Sequence, residues 1–132
     1  MSNEMKWLAY TITFTALLWA PYVLNRLAVR GLTGVFANPL ATDTPLSPWA
    51  QRAKQAHANA VENLVLFAPA ILAVHVLNLG NGLTNVAGGL YFFARVAHFA
   101  VYTAGIPVAR TLIWTAGWVG IMILALRLLG VV

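Results

Sequence analysis

Apolar residues run along this chain in four long blocks separated by short polar breaks. The blocks extend from about Trp7 to Val29, Pro48 to Asn78, Leu83 to Ala104 and Pro107 to Leu129. Each holds about 20 or more residues, enough to cross a hydrocarbon core about 30 Å thick. That layer holds no water, so the backbone must satisfy its own hydrogen bonds, which predicts helices. Alternation with period two is absent, which argues against a barrel. The expected architecture is an all-α integral membrane protein: one four-helix membrane domain over 1–132, with helices at about 6–30, 48–78, 83–104 and 107–130. Gly31 to Ser47 reads as a polar loop, Leu79 to Asn85 as a short turn, and Gly105-Ile106-Pro107 as another. Ser47 followed by Pro48 reads as an N-cap with proline at the first helical position. Pro21 and Pro69 fall inside helices and are expected to kink them.

Composition agrees with the pattern. Hydrophobic residues make up 61% of the 132 positions and charged residues only 8%. A soluble domain carries about 25% charge, so too few charges exist here to cover a water-facing surface. A cytosolic globular enzyme, a disordered chain and a nucleic-acid-binding domain are excluded. Eight Lys/Arg against three acids give a formal charge of +5, but the basic residues are scattered singly, with no run to track phosphates. There is no cysteine. Any sulfur chemistry must therefore use a thiol brought by a ligand. The apolar stretch after Lys6 is long for a signal peptide, and equally apolar segments follow it, so it reads as an uncleaved first span.

Lys/Arg placement sets the expected orientation. Arg26, Arg30, Arg52 and Lys54 flank the first connection and Arg110 follows the third, whereas the second has none. The positive-inside rule puts loops 1 and 3 in the cytoplasm and both termini outside.

Several polar groups lie inside the predicted spans. An ionisable group at the bilayer centre costs roughly 2.5–3.5 kcal/mol on the lenient scale, so each marks a candidate site. On the second helix Arg52, Gln55, Asn59 and Glu62 recur at helical spacing and form one stripe. On the third, Tyr91, Arg95, His98 and Tyr102 form another. Arg30 ends the first helix and Arg110 starts the fourth, so one pocket in the cytoplasmic half is able to collect these groups. Such a pocket holds a surplus of guanidinium groups and one acid. An anionic ligand bearing an ammonium group fits it. Arginine forks take carboxylates, and Glu62 takes the ammonium.

Plainer readings compete. Arg30, Arg52, Lys54 and Arg110 lie near helix ends, where long side chains snorkel to lipid phosphates. Arg95 and Glu62 suit a structural ion pair between the second and third helices. His57 lies off the stripe and reads as structural. His75 and His98 sit on different helices with no second ligand at i+4, so no metal site is read. Ala116 and Gly120 form a small-residue pair suited to helix packing.

The segment Arg52-Ala-Lys-Gln-Ala-His57-Ala-Asn59-Ala-Val-Glu62-Asn63 resembles the second-helix motif of the MAPEG family, the membrane-associated proteins in eicosanoid and glutathione metabolism. Phe36-Ala-Asn-Pro39 has a counterpart in its prostaglandin E synthase branch. Arg95-Val-Ala-His98-Phe-Ala-Val-Tyr102, then Gly105 to Pro107 and Arg110-Thr111, resembles the third-helix motif and its sequel. The resemblance covers nearly the whole chain. It implies a homotrimer of four-helix subunits that binds glutathione as co-substrate between neighbouring subunits, in a pocket open to the cytoplasm. Family members conjugate glutathione to lipophilic electrophiles, reduce lipid hydroperoxides or isomerise endoperoxides. Carried over by position, Arg30, Asn59, Glu62, His98, Tyr102 and Arg110 match glutathione-contacting positions, and Arg52 and Arg95 match family arginines of the pocket or scaffold. Arg110 matches the arginine held to stabilise the thiolate. Thr111 falls where the prostaglandin synthase branch has a serine proposed to assist the thiol.

The chain also departs from the family pattern. Gln55 stands where prostaglandin and leukotriene synthases carry arginine, Ala58 replaces another basic residue, and Trp114 occupies a tyrosine position. These departures argue against either eicosanoid reaction. The expected protein is a generic bacterial-type member of the inner membrane, a glutathione-dependent transferase or peroxidase acting in detoxification. A non-catalytic membrane accessory or ligand-binding protein on the same fold is the alternative. A small proton-coupled exporter using Glu62 is a third reading, and the surrounding arginines weigh against it.

Overall fold

The computed structural model describes all residues, 1–132, and is built from helices alone. They are α1 (Asn3–Leu17), α2 (Trp19–Phe36), α3 (Pro48–Val76), α4 (Gly82–Ala104) and α5 (Pro107–Leu128). The first expected helix is thus two. The chain breaks at Leu18, whose backbone angles remain helical. Pro21 explains the break: it offers no N–H, and its ring crowds the carbonyl four residues earlier, that of Leu17. α3, by contrast, continues through Pro69.

α2 also outruns its expected end, reaching Phe36 after a corner at Gly31, where φ is +71°. A side chain is strained at such an angle and glycine is not. Arg26 holds the turn beyond the corner by donating to the carbonyls of Gly34 and Ala37 at 3.0 and 3.2 Å. Ser47 is the residue before α3, and Pro48 opens it as expected, but the Ser47 hydroxyl makes no cap bond. Instead Ser47 exchanges two hydrogen bonds with Asn25, at 2.9 and 3.0 Å, which pin the start of α3 to α2.

α1, α3, α4 and α5 share one core of Leu8, Phe67, Ile71, Val74, Ala87, Tyr91, Ile121 and Leu124. Phe67 stacks on Tyr91 with ring centroids 3.8 Å apart. α4 and α5 pack most extensively, α2 touches chiefly α3, and α2 buries no residue at all. Only 25 of 132 residues are buried, while many large apolar side chains face outward. In water such a surface would be untenable, whereas hydrocarbon solvates it. Three helical segments are long and apolar enough to cross a membrane: Asn3–Phe36, Pro48–Val76 and Pro107–Leu128.

Close helix approach depends on the small residues of α5. A Cβ added to Gly120 would lie 2.8 Å from the backbone carbonyl oxygen of Ala87 on α4. Backbone cannot swing aside as a side chain can. Gly120→Ala is therefore expected to push α4 from α5 and cost about 1–3 kcal/mol, as overpacking does. Unfolding in detergent reads this as a lowered midpoint, and an unchanged midpoint would refute the packing role.

Candidate functional site

α4 positions the centre of the site. Its C-terminal half carries Arg95, His98 and Tyr102 on one face, as their spacing requires. Arg95 and His98 are buried, at 2% and 3% exposure. α3 sets Asn59 beside them, and the first turns of α5 bring Arg110, Thr111 and Trp114. Asn59, His98, Tyr102, Arg110, Thr111 and Trp114 line one cleft of about 240 Å³. A neighbouring cleft of about 490 Å³ shares Tyr102 and Arg110 and adds Gln51, Arg52 and Gln55. The two aligned stripes therefore meet, joined by the start of α5.

Arg95 is the scaffold behind the cleft. Its Nη1 donates to Asn59 Oδ1 at 3.2 Å, and its Nη2 to the Trp114 carbonyl at 3.3 Å. One side chain thus ties α3, α4 and α5 together. Asn63 Nδ2 also donates to Asn59 Oδ1, at 3.3 Å, and to the Asn59 carbonyl, at 2.8 Å. With its oxygen so engaged, the Asn59 amide keeps its N–H₂ as the group free to donate. Gly117 makes room for the guanidinium, because a Cβ there would approach Arg95 Nη2 to 2.6 Å.

Arg110 is the cation that faces the cleft. Its guanidinium carbon lies 4.6 Å from the Tyr102 ring centroid, a cation–π contact, and it makes no ion pair. Tyr102 in turn meets His98 edge to face, centroids 5.5 Å apart. Arg110 also lies in the first turn of α5, where unpaired N–H groups concentrate positive potential. No carboxylate lines the cleft, so its charge is positive and uncompensated. Thr111 lines the cleft too, but its hydroxyl donates to the Pro107 carbonyl at 3.2 Å. That leaves its oxygen able only to accept.

Other expected site residues lie apart. Arg30 pairs with Asp43 at 3.0 Å and donates to the Thr44 carbonyl at 2.7 Å, so it secures loop 1. A pocket of about 370 Å³ there holds Arg26, Arg30, Lys54 and Gln55. Arg52 donates from Nε to the Thr103 carbonyl at 2.9 Å, a cation at the C-terminal end of α4. It packs beside Gly105, whose φ of +80° ends that helix. Glu62 is exposed and lines none of these pockets. The plainer alternative of an Arg95–Glu62 ion pair is not met, since the only ion pair in the chain is Arg30–Asp43. Arg95 points between α3 and α5, whereas Glu62 points out of the bundle. His57 makes a structural contact, as expected, with its Nδ1 2.9 Å from the Tyr22 hydroxyl.

Three residues were missed as parts of the site. Trp114 stood out only as a substitution, yet it lines the cleft, and its carbonyl holds Arg95. Asn63 lies one residue past the polar stripe of α3, at Glu62, and carries no signal of its own. Gly117 had a signal in the sequence, since Gly117 and Gly120 lie three apart on one face of α5.

A protein-family model described as "MAPEG family" matches residues 7–130. No curated protein gives a significant match.

Proposed function

The chain belongs to the MAPEG family, and from that premise we propose that it activates glutathione as a thiolate for attack on lipophilic electrophiles or hydroperoxides. The observation that carries this reading is the placement of Arg110. It faces a cleft without acids, beside Tyr102, His98 and the donor end of Asn59. A free thiol has a pKa near about 8.5 and is mostly protonated at neutral pH. A guanidinium at a helix N-terminus favours the anion. The thiolate sulfur then forms a bond to the electrophilic carbon while a leaving group departs with the displaced electron pair. With a hydroperoxide it attacks the outer oxygen, giving an alcohol and a sulfenic acid that a second glutathione reduces to disulfide and water. No protein nucleophile is needed, which suits a chain without cysteine.

The wider assembly is part of the proposal. α4 is 23 residues long and packs against α1, α3 and α5, which suits a fourth span shielded by the other three. Glu62 stands exposed on a predicted span, and α2 buries nothing. A second and third copy of the chain, packed against α2 and α3, would cover both and bring Glu62 to a neighbour's cleft. Glu62 would there hold the glutathione ammonium, while Asn59 and Tyr102 take its amide and carboxylate groups and Arg110 faces the thiolate. A homotrimer in a bacterial inner membrane, with loops 1 and 3 in the cytoplasm, completes this reading.

A thermal-shift titration of the purified protein with glutathione tests it. Binding to the folded state raises the melting temperature saturably, by mass action. The rise is expected in the wild type and should be largely lost in Glu62→Gln. No rise at millimolar glutathione would sink the assignment.

A further inference from the structure

A second polar chamber lies at the other end of the bundle from Arg110. The start of α1, the turn between α3 and α4 and the start of α4 enclose about 430 Å³, lined by no hydrophobic residue. Ser2, Glu4, His75, Asn78, Asn81 and Asn85 form most of its wall. Glu4 is the centre of interest, because it is 6% exposed and carries the only carboxylate there. One of its oxygens accepts from the Thr84 hydroxyl at 2.8 Å. It makes no ion pair, and the His75 imidazole on the same wall is the one other group there able to carry charge. Glu4 also sits in the first turn of α1, a place that stabilises an acid as its anion.

The space over this carboxylate is kept open. A Cβ at Gly80 would lie 2.8 Å from Glu4 Oε1, so any other residue would fill it. Two groups of the wall have partners of their own: the Ser2 hydroxyl lies 3.2 Å from His75 Nδ1, and Asn85 accepts from the Trp7 indole at 2.8 Å. Cations stand at this end but not on Glu4. Lys6 reaches Asn3 Oδ1 at 3.5 Å, and Arg127 donates to the Leu79 carbonyl at 2.9 Å.

We propose that this chamber binds the primary ammonium of an aminophospholipid headgroup, with Glu4 as its counter-ion. A pinning contact between α1 and α4 needs only Glu4 and Thr84. It does not need a polar chamber held open above a carboxylate that makes no ion pair. The lipid source follows from the setting. A bundle end of a membrane protein lies at headgroup depth, and Trp7, hydrogen-bonded to the chamber wall, is the residue type that settles there. Lys6 and Arg127 at the same end suit the phosphate that accompanies the ammonium. A primary ammonium brings three N–H donors to the carboxylate and to Asn78, whereas a trimethylammonium brings none.

Native mass spectrometry of the purified protein with added lipids tests the proposal. Phosphatidylethanolamine should bind roughly tenfold more tightly than phosphatidylcholine of the same chains, the value of one charge-assisted hydrogen bond. Glu4→Gln should abolish that preference while its amide oxygen still accepts from Thr84, and the glutathione-induced thermal shift should be unchanged. The wild type gives a second reading without any variant: stepwise methylation of the headgroup nitrogen should weaken binding at each step. Equal binding of the two lipids, or a preference that survives Glu4→Gln, would overturn the proposal. So would soluble phosphoethanolamine competing as well as the whole lipid, because the occupant would then not be lipid.

Discussion

Arg110→Ala is expected to slow glutathione conjugation about a hundredfold, the usual loss when one preorganised charge-stabilising group is removed. The loss should fall on the chemical step more than on binding. Arg110 is the only cation facing the cleft of Asn59, His98 and Tyr102, and the tyrosine ring rather than an acid occupies its near side. Its charge is thus unspent until an anion arrives. Without it, the bound thiol relies on the α5 N-terminus alone and stays mostly protonated. Raising the pH should then restore part of the rate, because hydroxide supplies the thiolate that Arg110 no longer favours. Kinetics at two pH values check this. A variant that keeps the wild-type rate at neutral pH would remove Arg110 from the mechanism.

Arg95→Met should separate folding from function. Replacing a buried charge by an apolar side chain of similar volume is often neutral or stabilising, because the charge no longer has to be desolvated. The helices should therefore remain assembled. Asn59, however, loses the shorter of the two bonds to its amide oxygen, at 3.2 Å, and keeps only the 3.3 Å bond from Asn63. Glutathione affinity is expected to fall roughly tenfold or more, since a misoriented amide offers its oxygen where its N–H₂ is needed. Arg95→Ala differs, because it leaves a void among α3, α4 and α5 and lowers the melting temperature as well. Unfolding midpoints and glutathione titrations on both variants check the pair. Unaltered affinity in Arg95→Met would show that Asn59 needs no such support.

The sequence carried the stripes but not the partners. Helical spacing placed Asn59 on one face and His98 and Tyr102 on another, and those faces do meet at Arg110. Spacing fixes only the angle of a residue about its own axis. It does not fix how each helix turns toward its neighbours, so it allowed an Arg95–Glu62 pair that the packing forbids. Arg95 instead donates to Asn59 and to a backbone carbonyl. Backbone acceptors are invisible to side-chain patterns, which is also why the anchoring of Arg52 on Thr103 was not legible. Arg30 found an acid 13 residues on, across a loop whose course no periodicity describes. The break at Leu18 was half legible: Pro21 announced a kink, and the kink divides the helix.

A protein that holds glutathione as a thiolate should show that anion in the ultraviolet. The chain has no cysteine, so any thiolate absorbance in a mixture with glutathione belongs to the ligand. The most direct measurement is the ultraviolet difference spectrum of the purified protein titrated with glutathione at neutral pH. A saturable thiolate band is expected in the wild type, reduced in Arg110→Ala. Saturating glutathione with no thiolate band in the wild type would contradict it.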